Sequence, residues 1–340
     1  MGVGPRVNLG LADLEALALK VLLAGGLAPH QAQPIARSVA LTEAAGSPSH
    51  GLYRIKGYVA SVRSGRVNGA AQPQLHRVAS GVVRVDGQNG FAPAAHALGA
   101  PVLIEAAKAH GIAALALTHC HHFSSLWHDL TPLVEAGLTC WAFTIGQCIV
   151  APHGGKERLM GTNPIAFGWP RGEQDPFIFD FATSAVARGE IELMGQRGEA
   201  MPEGWGIDAQ GQPTRDPQEA LAGALLPFGG HKGSALSMMV ELLAGPLIGE
   251  PTSRAAARLD NGDGGPPLGG ELLLAIDPAV FGLGMGHPWL EQAEVFLTEA
   301  RNQPGVRLPS DRRHAALAHS QRFGVDIAQS LLDELAAIAA

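Results

Sequence analysis

The sequence predicts an α/β protein that lacks the dinucleotide fingerprint of doubly wound folds. Three observations lead there. Segments with apolar residues at helical spacing stand at both ends of the chain, and short apolar or alternating runs of strand length fill its middle. No G-x-G-x-x-G joins an early strand to a helix, and no Walker-type G-x-x-x-x-G-K-[ST] is present.

In chain order, Leu11, Leu14, Leu17, Ala18, Val21 and Leu22 line one face of a first helix, stopped by Gly25-Gly26. Ile35, Val39, Leu41, Ala44 and Ala45 mark a second; Leu52, Ile55, Val59 and Val62 mark a third that ends near Ser64-Gly65. Ser47-Pro48 separates them, because proline disfavours helix for the residue before it and suits a first turn. Val82 to Asp86 alternates as a strand that Gly87-Gln88-Asn89-Gly90 turns. Residues 92–110 read as an Ala-rich helix and 112–117 as a nearly all-apolar strand of the buried kind. A helix through Leu130 and Val134 and a strand over 138–145 follow. Past a Gly- and Pro-punctuated stretch at 146–163, strands at 165–169 and 176–181 flank a turn, and 182–193 has helical spacing. A polar loop at 198–216 and a short helix at 220–226 precede an apolar helix, which opens at Pro227-Phe228-Gly229-Gly230-His231-Lys232-Gly233 and ends at Gly245-Pro246. Residues 250–269 are expected to form a mobile loop and 271–276 a strand. Gly282-Leu283-Gly284-Met285-Gly286 reads as a turn, and 287–301 and 315–339 as helices.

The 340 residues suffice for one large or two moderate domains with a sizeable core. Lys and Arg number 24 against 31 Asp and Glu, a net charge of −7 without a basic run, which argues against nucleic acid as the main partner. With only 16% charged and 46% apolar residues, the chain buries much of its surface, with scope for some of it to face another subunit. Cys120, Cys140 and Cys148 form no C-x-x-C and fit small buried hydrophobes in a reducing compartment. No basic segment leads into an apolar run and no apolar stretch reaches spanning length, so a soluble, cytoplasmic protein without a membrane partner is expected.

The chemistry gathers at Ser49-His50-Gly51-Leu52-Tyr53-Arg54. His50 at a helix start with Arg54 one turn on pairs an imidazole that exchanges protons near neutral pH with a guanidinium able to grip a carboxylate through two hydrogen bonds. An N-cap serine, a surface histidine and a solvated arginine are the alternative account of the same residues. His119, Cys120, His121 and His122 resemble a metal cluster, but neighbours on an extended segment point to opposite sides and no H-E-x-x-H follows, so no metal is expected. The end of a buried strand is a better place for a ligand-contacting histidine. Gly229-Gly230-His231-Lys232-Gly233 either lets backbone N–H groups approach a phosphate, with Lys232 supplying charge, or is a plain helix start. A carboxylate at Glu190 would orient His50 if the two met; otherwise it is a solvated helix residue.

Taken together and in this order, Ser49-His50-Gly51-x-x-Arg54, His121-His122-Phe123, Gly161-Thr162-Asn163-Pro164, Asp180-Phe181-Ala182-Thr183-Ser184 and Leu226 to Gly233 make the chain resemble the malate/L-lactate dehydrogenase family of non-Rossmann NAD(P)-dependent oxidoreductases. Within it, Thr183-Ser184-Ala185-x-Ala187-x-Gly189-Glu190, Gly233 to Glu241 and Arg307-Leu308-Pro309-x-Asp311-Arg312-Arg313 are most similar to the cyclic imino-acid reductases. The resemblance implies a mixed sheet in a cofactor and substrate domain (76–299) and a helical domain built from both termini (1–75 and 300–340). It implies His50 as proton donor with Ser49 and Glu190 as relay partners, and Arg54 and Thr162 as substrate contacts. It implies NADP contacts at His122, Phe123, Ser124, Ser125, Leu126, Asp180, Phe181, Ala182, Arg188, Gly189, His231, Lys232, Gly305, Arg307 and Asp311.

The resemblance also implies a homodimer that uses NADPH, with NADH as the alternative, to reduce Δ1-piperideine-2-carboxylate or Δ1-pyrroline-2-carboxylate to L-pipecolate or L-proline. Many hydroxy-acid members carry lysine where Glu190 stands. A lysine polarises a keto oxygen, whereas a carboxylate stabilises a cationic C=N group. The alternatives are a 2-hydroxy acid dehydrogenase of the same family and a non-redox metal- or ligand-binding protein built on His119 to His122.

Overall fold

The computed structural model describes residues 4–283 and 288–339. The turn read at 282–286 and the first residue of the helix read from 287 lie partly outside the described residues. β1 (Arg6–Leu9) leads into α1 (Leu11–Ala24), α2 (Pro29–Ala44) and α3 (Ile55–Arg63). Their apolar stripes face one another: Leu14, Ala18, Val21, Ile35, Val39, Tyr58 and Val59 form one core that Leu335 of the last helix completes. Each large side chain buried there contributes about 1.5–3 kcal/mol.

The central sheet has seven strands. β2 (Gln74–Ala79), β3 (Val82–Phe91), α4 (Ala92–His110) and β4 (Ile112–His121) come first, then α5 (Leu126–Glu135), β5 (Thr139–Thr144), β6 (Ile165–Trp169) and β7 (Phe177–Phe181). Next are α6 (Arg188–Arg197), the two-residue strands β8 (Gly206–Ile207) and β9 (Pro213–Thr214), α7 (Pro217–Ala222), β10 (Ala224–Leu225), α8 (His231–Leu243), α9 (Ser253–Ala257) and β11 (Glu271–Ile276). The sheet order is β2-β3-β4-β11-β5-β6-β7. β3 and β4 pair in parallel across the α4 crossover and the other neighbours are antiparallel, so the sheet is mixed. α4 and α5 cover one face, Leu103 and Leu130 joining Leu115 and Leu117 of β4 in one cluster, and α8 packs Val240 on the other against Phe143 and Leu272.

α10 (Pro278–Phe281), α11 (Trp289–Arg301), α12 (Asp311–Phe323), β12 (Val325–Ala328) and α13 (Gln329–Ala339) close the chain. β12 pairs antiparallel with β1 and ties the two ends together. The single helix expected at 315–339 is therefore two. Gly324, at φ 76°, stops α12 where a Cβ would meet Asn8 Oδ1 at 2.3 Å, and the β-branched Val325 and Ile327 suit the extended segment after it.

Other expectations also shift. Gly87 to Gly90 do not turn the chain: β3 runs through them with a register break between Asp86 and Gly90, Gln88 and Asn89 taking φ of 53° and 62°. The helix read from 182 begins at Arg188, because Thr183 and Ser184 spend their hydroxyls on backbone oxygens of Thr162, Asn163 and Val186. The short helix read at 220–226 covers Pro217–Ala222, capped by the Asp216 side chain, and gives way to β10. The segment 250–269, expected to be a loop, contains α9; Ser253 N–H in it donates to Glu241 at 2.8 Å and Asp263 pairs with Arg66, both side chains under 10% exposed.

Candidate active site

The loop between α2 and α3 is two single 3-10 turns, Pro48–His50 and Leu52–Arg54, rather than the start of one helix. Glu43, at the end of α2, accepts the Leu52 N–H at 2.8 Å, and a Cβ on Gly51 would lie 2.0 Å from that carboxylate, so a larger residue between the turns would have to displace the Glu43 side chain from this bond. The fold thereby directs both side chains inward. Ser49 Oγ lies 3.1 Å from His50 Nδ1, and Arg54 Nε donates to the Ser49 carbonyl at 2.6 Å. The Arg54 guanidinium sits over the Phe123 ring at 4.9 Å, and Phe123 meets Tyr58 edge-on at 5.3 Å. His50 is pulled down to about 4, first by burial and then by the charges of Arg54 and His122. The structure thus brings Ser49, His50, Arg54, His122 and Phe123 together.

Glu190 is not among them. It lies in the first turn of α6, half exposed, with Arg197 at 3.5 Å as its ion-pair partner, and among the described residues no hydrogen bond or ion pair joins it to His50. Within α6 Glu190 stands seven residues before Arg197, about two turns away on the same face. The α6 carboxylate whose charge reaches Arg54 is Glu192, itself 2.8 Å from Arg188 Nε. Arg188 also donates to Gln147 at 2.9 Å, and Gly189 beside it has open space where a Cβ would stand.

The histidine run at the end of β4 splits three ways. His119, at φ 50°, turns outward to Asp86 at 3.1 Å. His121 is buried between Asn89 Oδ1 and the Pro266 carbonyl and is pulled down to about 4, chiefly by burial. His122 points its Nε2 between Asp129 Oδ2 at 3.4 Å and Glu271 Oε2 at 3.3 Å. That trio could hold a metal ion, its ligand atoms lying within 4.8 Å of one another, whereas His119 to His122 do not converge as a set. Neither Asp129 nor Glu271 stood out in the sequence, although a lone acid heading the strand Glu271-Leu272-Leu273-Leu274-Ala275-Ile276 was the available signal.

Ser124 and Ser125 carry the chain into α5, where Leu126 is buried. Asp180 Oδ2 accepts the Trp127 N–H at 3.3 Å and Oδ1 the Arg313 guanidinium at 2.7 Å, while Arg313 lies over the Trp127 ring at 4.7 Å. Asp180 is thus a tie between β7, α5 and α12. Burial pushes its carboxyl up against the opposing charge of Arg313. Phe181 stacks on Phe179 and meets Phe228 edge-on at 5.7 Å, with Ala182 partly exposed next to it. Thr162 is fastened from both sides: its carbonyl accepts the Thr183 N–H at 2.8 Å, and Asn163 after it is wholly buried at φ 39°.

At α8, Gly229 and Gly230 take φ of 57° and 61°, and a Cβ on Gly233 would stand 1.9 Å from the Phe228 carbonyl. This tight entry puts Gly229 and Gly230, which lead into the unpaired first N–H groups of α8, in the wall of a cleft of about 460 Å³ lined also by His153, Trp205 and Phe228, with the His231 ring 6.2 Å from His153. The donor set fits a phosphate-bearing cofactor. Gly305, at φ 81°, and the exposed Arg307 lead to Asp311, which pairs with Arg301 at 2.8 Å. Ser310 Oγ accepts the Ile178 N–H, so this turn lies against β7. No helix among the described residues is long and apolar enough to cross a membrane.

Comparison with known proteins agrees with this architecture. The malate/L-lactate dehydrogenase family model matches residues 9–336. The Δ1-pyrroline-2-carboxylate reductase of Ancylobacter novellus is 58% identical over 98% of this chain and 97% of its own. The Δ1-pyrroline-2-carboxylate/Δ1-piperideine-2-carboxylate reductase of Pseudomonas aeruginosa is 47% identical over 98% and 99%. The crystal structure of Δ1-piperideine-2-carboxylate reductase from Pseudomonas syringae pv. tomato superposes with a TM-score of 0.93 at 40% identity, covering 98% of this chain and 99% of that one. With its mixed seven-stranded sheet and motifs in register over nearly the whole length, the chain belongs to the malate/L-lactate dehydrogenase family.

Proposed function

We propose that this protein reduces cyclic 2-imino acids, Δ1-pyrroline-2-carboxylate and Δ1-piperideine-2-carboxylate, to L-proline and L-pipecolate with NADPH. The observation that carries the reading is the pairing of a half-buried imidazole, His50 against Ser49, with the Arg54 guanidinium held over Phe123. Two full-length relatives named for these substrates support it. When bound, the nicotinamide supplies hydride to the C=N carbon. The chain's own residues do the rest. Arg54 grips the carboxylate of the substrate, and Thr162 borders it. Carboxylate binding offsets the positive charge that, with burial, holds His50 neutral, so the ring takes up the proton that the ring nitrogen of the substrate needs as its double bond is reduced. Ser49 orients the imidazole. Glu190 joins the relay only if α6 moves when ligands bind.

NADPH is held, in this reading, by the α8 entry at His231 and Lys232 and by the turn from Gly305 through Arg307 to Asp311. Met238, Leu242 and Leu247, on α8 and just after it, stay 44–65% exposed, which supports a homodimer that covers them. Product analysis with NADPH and each imine, run beside pyruvate and oxaloacetate, is the deciding experiment. Turnover of the keto acids alone would replace this reading by a hydroxy-acid dehydrogenase.

A further inference from the structure

The Arg54 guanidinium carries a charge that no side chain among the described residues answers. Its Nε donates to the Ser49 carbonyl at 2.6 Å, and neither terminal nitrogen has a hydrogen-bond or ion-pair partner among those residues. Glu192, the α6 carboxylate whose charge reaches it, is itself held by Arg188 at 2.8 Å. A half-buried cation left so is costly unless its surroundings support it. The Phe123 ring gives that support, its centroid 4.9 Å from the guanidinium carbon, because the face of an aromatic ring is electron-rich.

The ring is fixed at its edges. Tyr58 meets it edge-on at 5.3 Å and is in turn edge-on to Phe91 at 4.7 Å; Tyr58 and Phe91 are wholly buried. Gly57, in the first turn of α3 and three residues after Arg54, closes on it from another side. A Cβ there would lie 2.8 Å from Phe123 Cε2. Gly57 does not take a left-handed φ, and glycine weakens a helix, so room for the ring accounts for it and backbone conformation does not.

We propose that Phe123 is a positioning residue and Gly57 the gap that admits it: the ring holds the guanidinium plane so that both terminal nitrogens of Arg54 meet the carboxylate of the substrate together. Nε is spent on Ser49 and the ring takes a face, so the end of the fork is what stays available. Two parallel hydrogen bonds need the guanidinium and carboxylate planes to coincide, and a guanidinium free to swing on its stem offers them one at a time. This deepens the proposed function and rests on its reading of Arg54 as the carboxylate grip. The family resemblance gives Phe123 to the cofactor instead, and the experiment separates the two roles.

The test is calorimetric binding of furan-2-carboxylate, a flat 2-carboxylate with no C=N to reduce, to the full chain with NADPH present. Imine kinetics and a fluorescence titration of NADPH run beside it. Phe123→Leu should weaken furan-2-carboxylate and raise KM for the imine about 3- to 30-fold, the range for a lost cation–π contact, with kcat and NADPH affinity changed less. Gly57→Ala leaves the ring's chemistry intact and favours the helix, yet should shift both quantities the same way by crowding the ring; it carries the test by itself where Phe123→Leu does not fold. In an Arg54→Lys background, whose ammonium has no plane to orient, the Phe123→Leu step should shrink to under about twofold. Unchanged carboxylate affinity in either folded variant overturns the proposal. So does a Phe123→Leu effect as large on NADPH as on the carboxylate, or undiminished in the Arg54→Lys background. Wild-type protein that does not bind furan-2-carboxylate overturns the reading of Arg54 and this proposal together, whereas one that binds it but reduces only keto acids leaves the proposal standing.

Discussion

Asn163 carries the clearest quantitative consequence of this architecture. Its Nδ2 donates to the Ser237 carbonyl, to Ser237 Oγ and to Glu241 Oε1 at 3.2, 3.1 and 2.8 Å, while its Oδ1 accepts from Gly146 N–H at 3.0 Å and Ser253 Oγ at 3.3 Å. One wholly buried amide thus joins the Thr162 turn to α8 and to α9. Asn163→Ala leaves the Gly146 N–H without a partner, at a cost of about 1–3 kcal/mol, and removes a carboxylate hydrogen bond worth about 1.5–3 kcal/mol. It also puts alanine at φ 39°, a left-handed conformation that costs roughly 1–2 kcal/mol outside glycine and asparagine. The expected loss is about 3.5–8 kcal/mol, a large part of the margin of a protein stable by roughly 5–15 kcal/mol. For a chain this long that lowers Tm by roughly 5–11 °C if unfolding is cooperative. Guanidinium titration followed by circular dichroism measures it. Asn163→Asp is the sharper control: it tolerates the backbone but turns a second carboxylate toward Glu241, so it should be less stable at pH 7 than at pH 5. A loss under about 1 kcal/mol for the alanine variant, or a pH-independent aspartate variant, would refute this account of the turn.

Other outcomes follow from the same geometry. His50→Ala should cut kcat by roughly 10²–10⁴ if the ring is the general acid, and retained turnover would remove it from the role. Stability should fall as pH drops from about 6.5 toward about 4. His50 and His121, both pulled down to about 4, stay neutral when folded while the unfolded chain takes up their protons, and each contributes up to about 1.4 kcal/mol per pH unit. His122 works in the opposite direction: raised to about 10, its contribution is complete below about 6.5 and is lost as pH rises through about 10. Urea melts at pH 4.5, 6.5 and 8.5 should therefore show a maximum at the middle value; a flat profile rejects the burial of these rings. Gly233→Ala forces a Cβ to within 1.9 Å of the Phe228 carbonyl, so it should weaken NADPH binding at least tenfold by shifting the α8 entry, as read by fluorescence titration.

The sequence by itself determined a good deal of this protein. Residues spaced three and four apart located α1 to α3, because a helix presents such residues on one face whatever it packs against. The apolar run at 112–117 located β4 because a run too short for a helix between turn signals fits a strand buried on both faces. Ser49, His50 and Arg54 stood out because they are close in sequence, and the turns that hold them are local. What only the tertiary structure decided concerns partners distant along the chain. β1 and β12 are short strands that form by pairing with each other across 316 or more residues, and nothing in either segment alone announces the other. That Glu190 meets Arg197 and not His50 depends on where packing sets α6, whose approach Thr183 ties to the Thr162 turn. Asp129 and Glu271 each look unremarkable until α5 and β11 close over His122, because a carboxylate gains its chemical meaning from the charge and solvent around it, and those are set by packing.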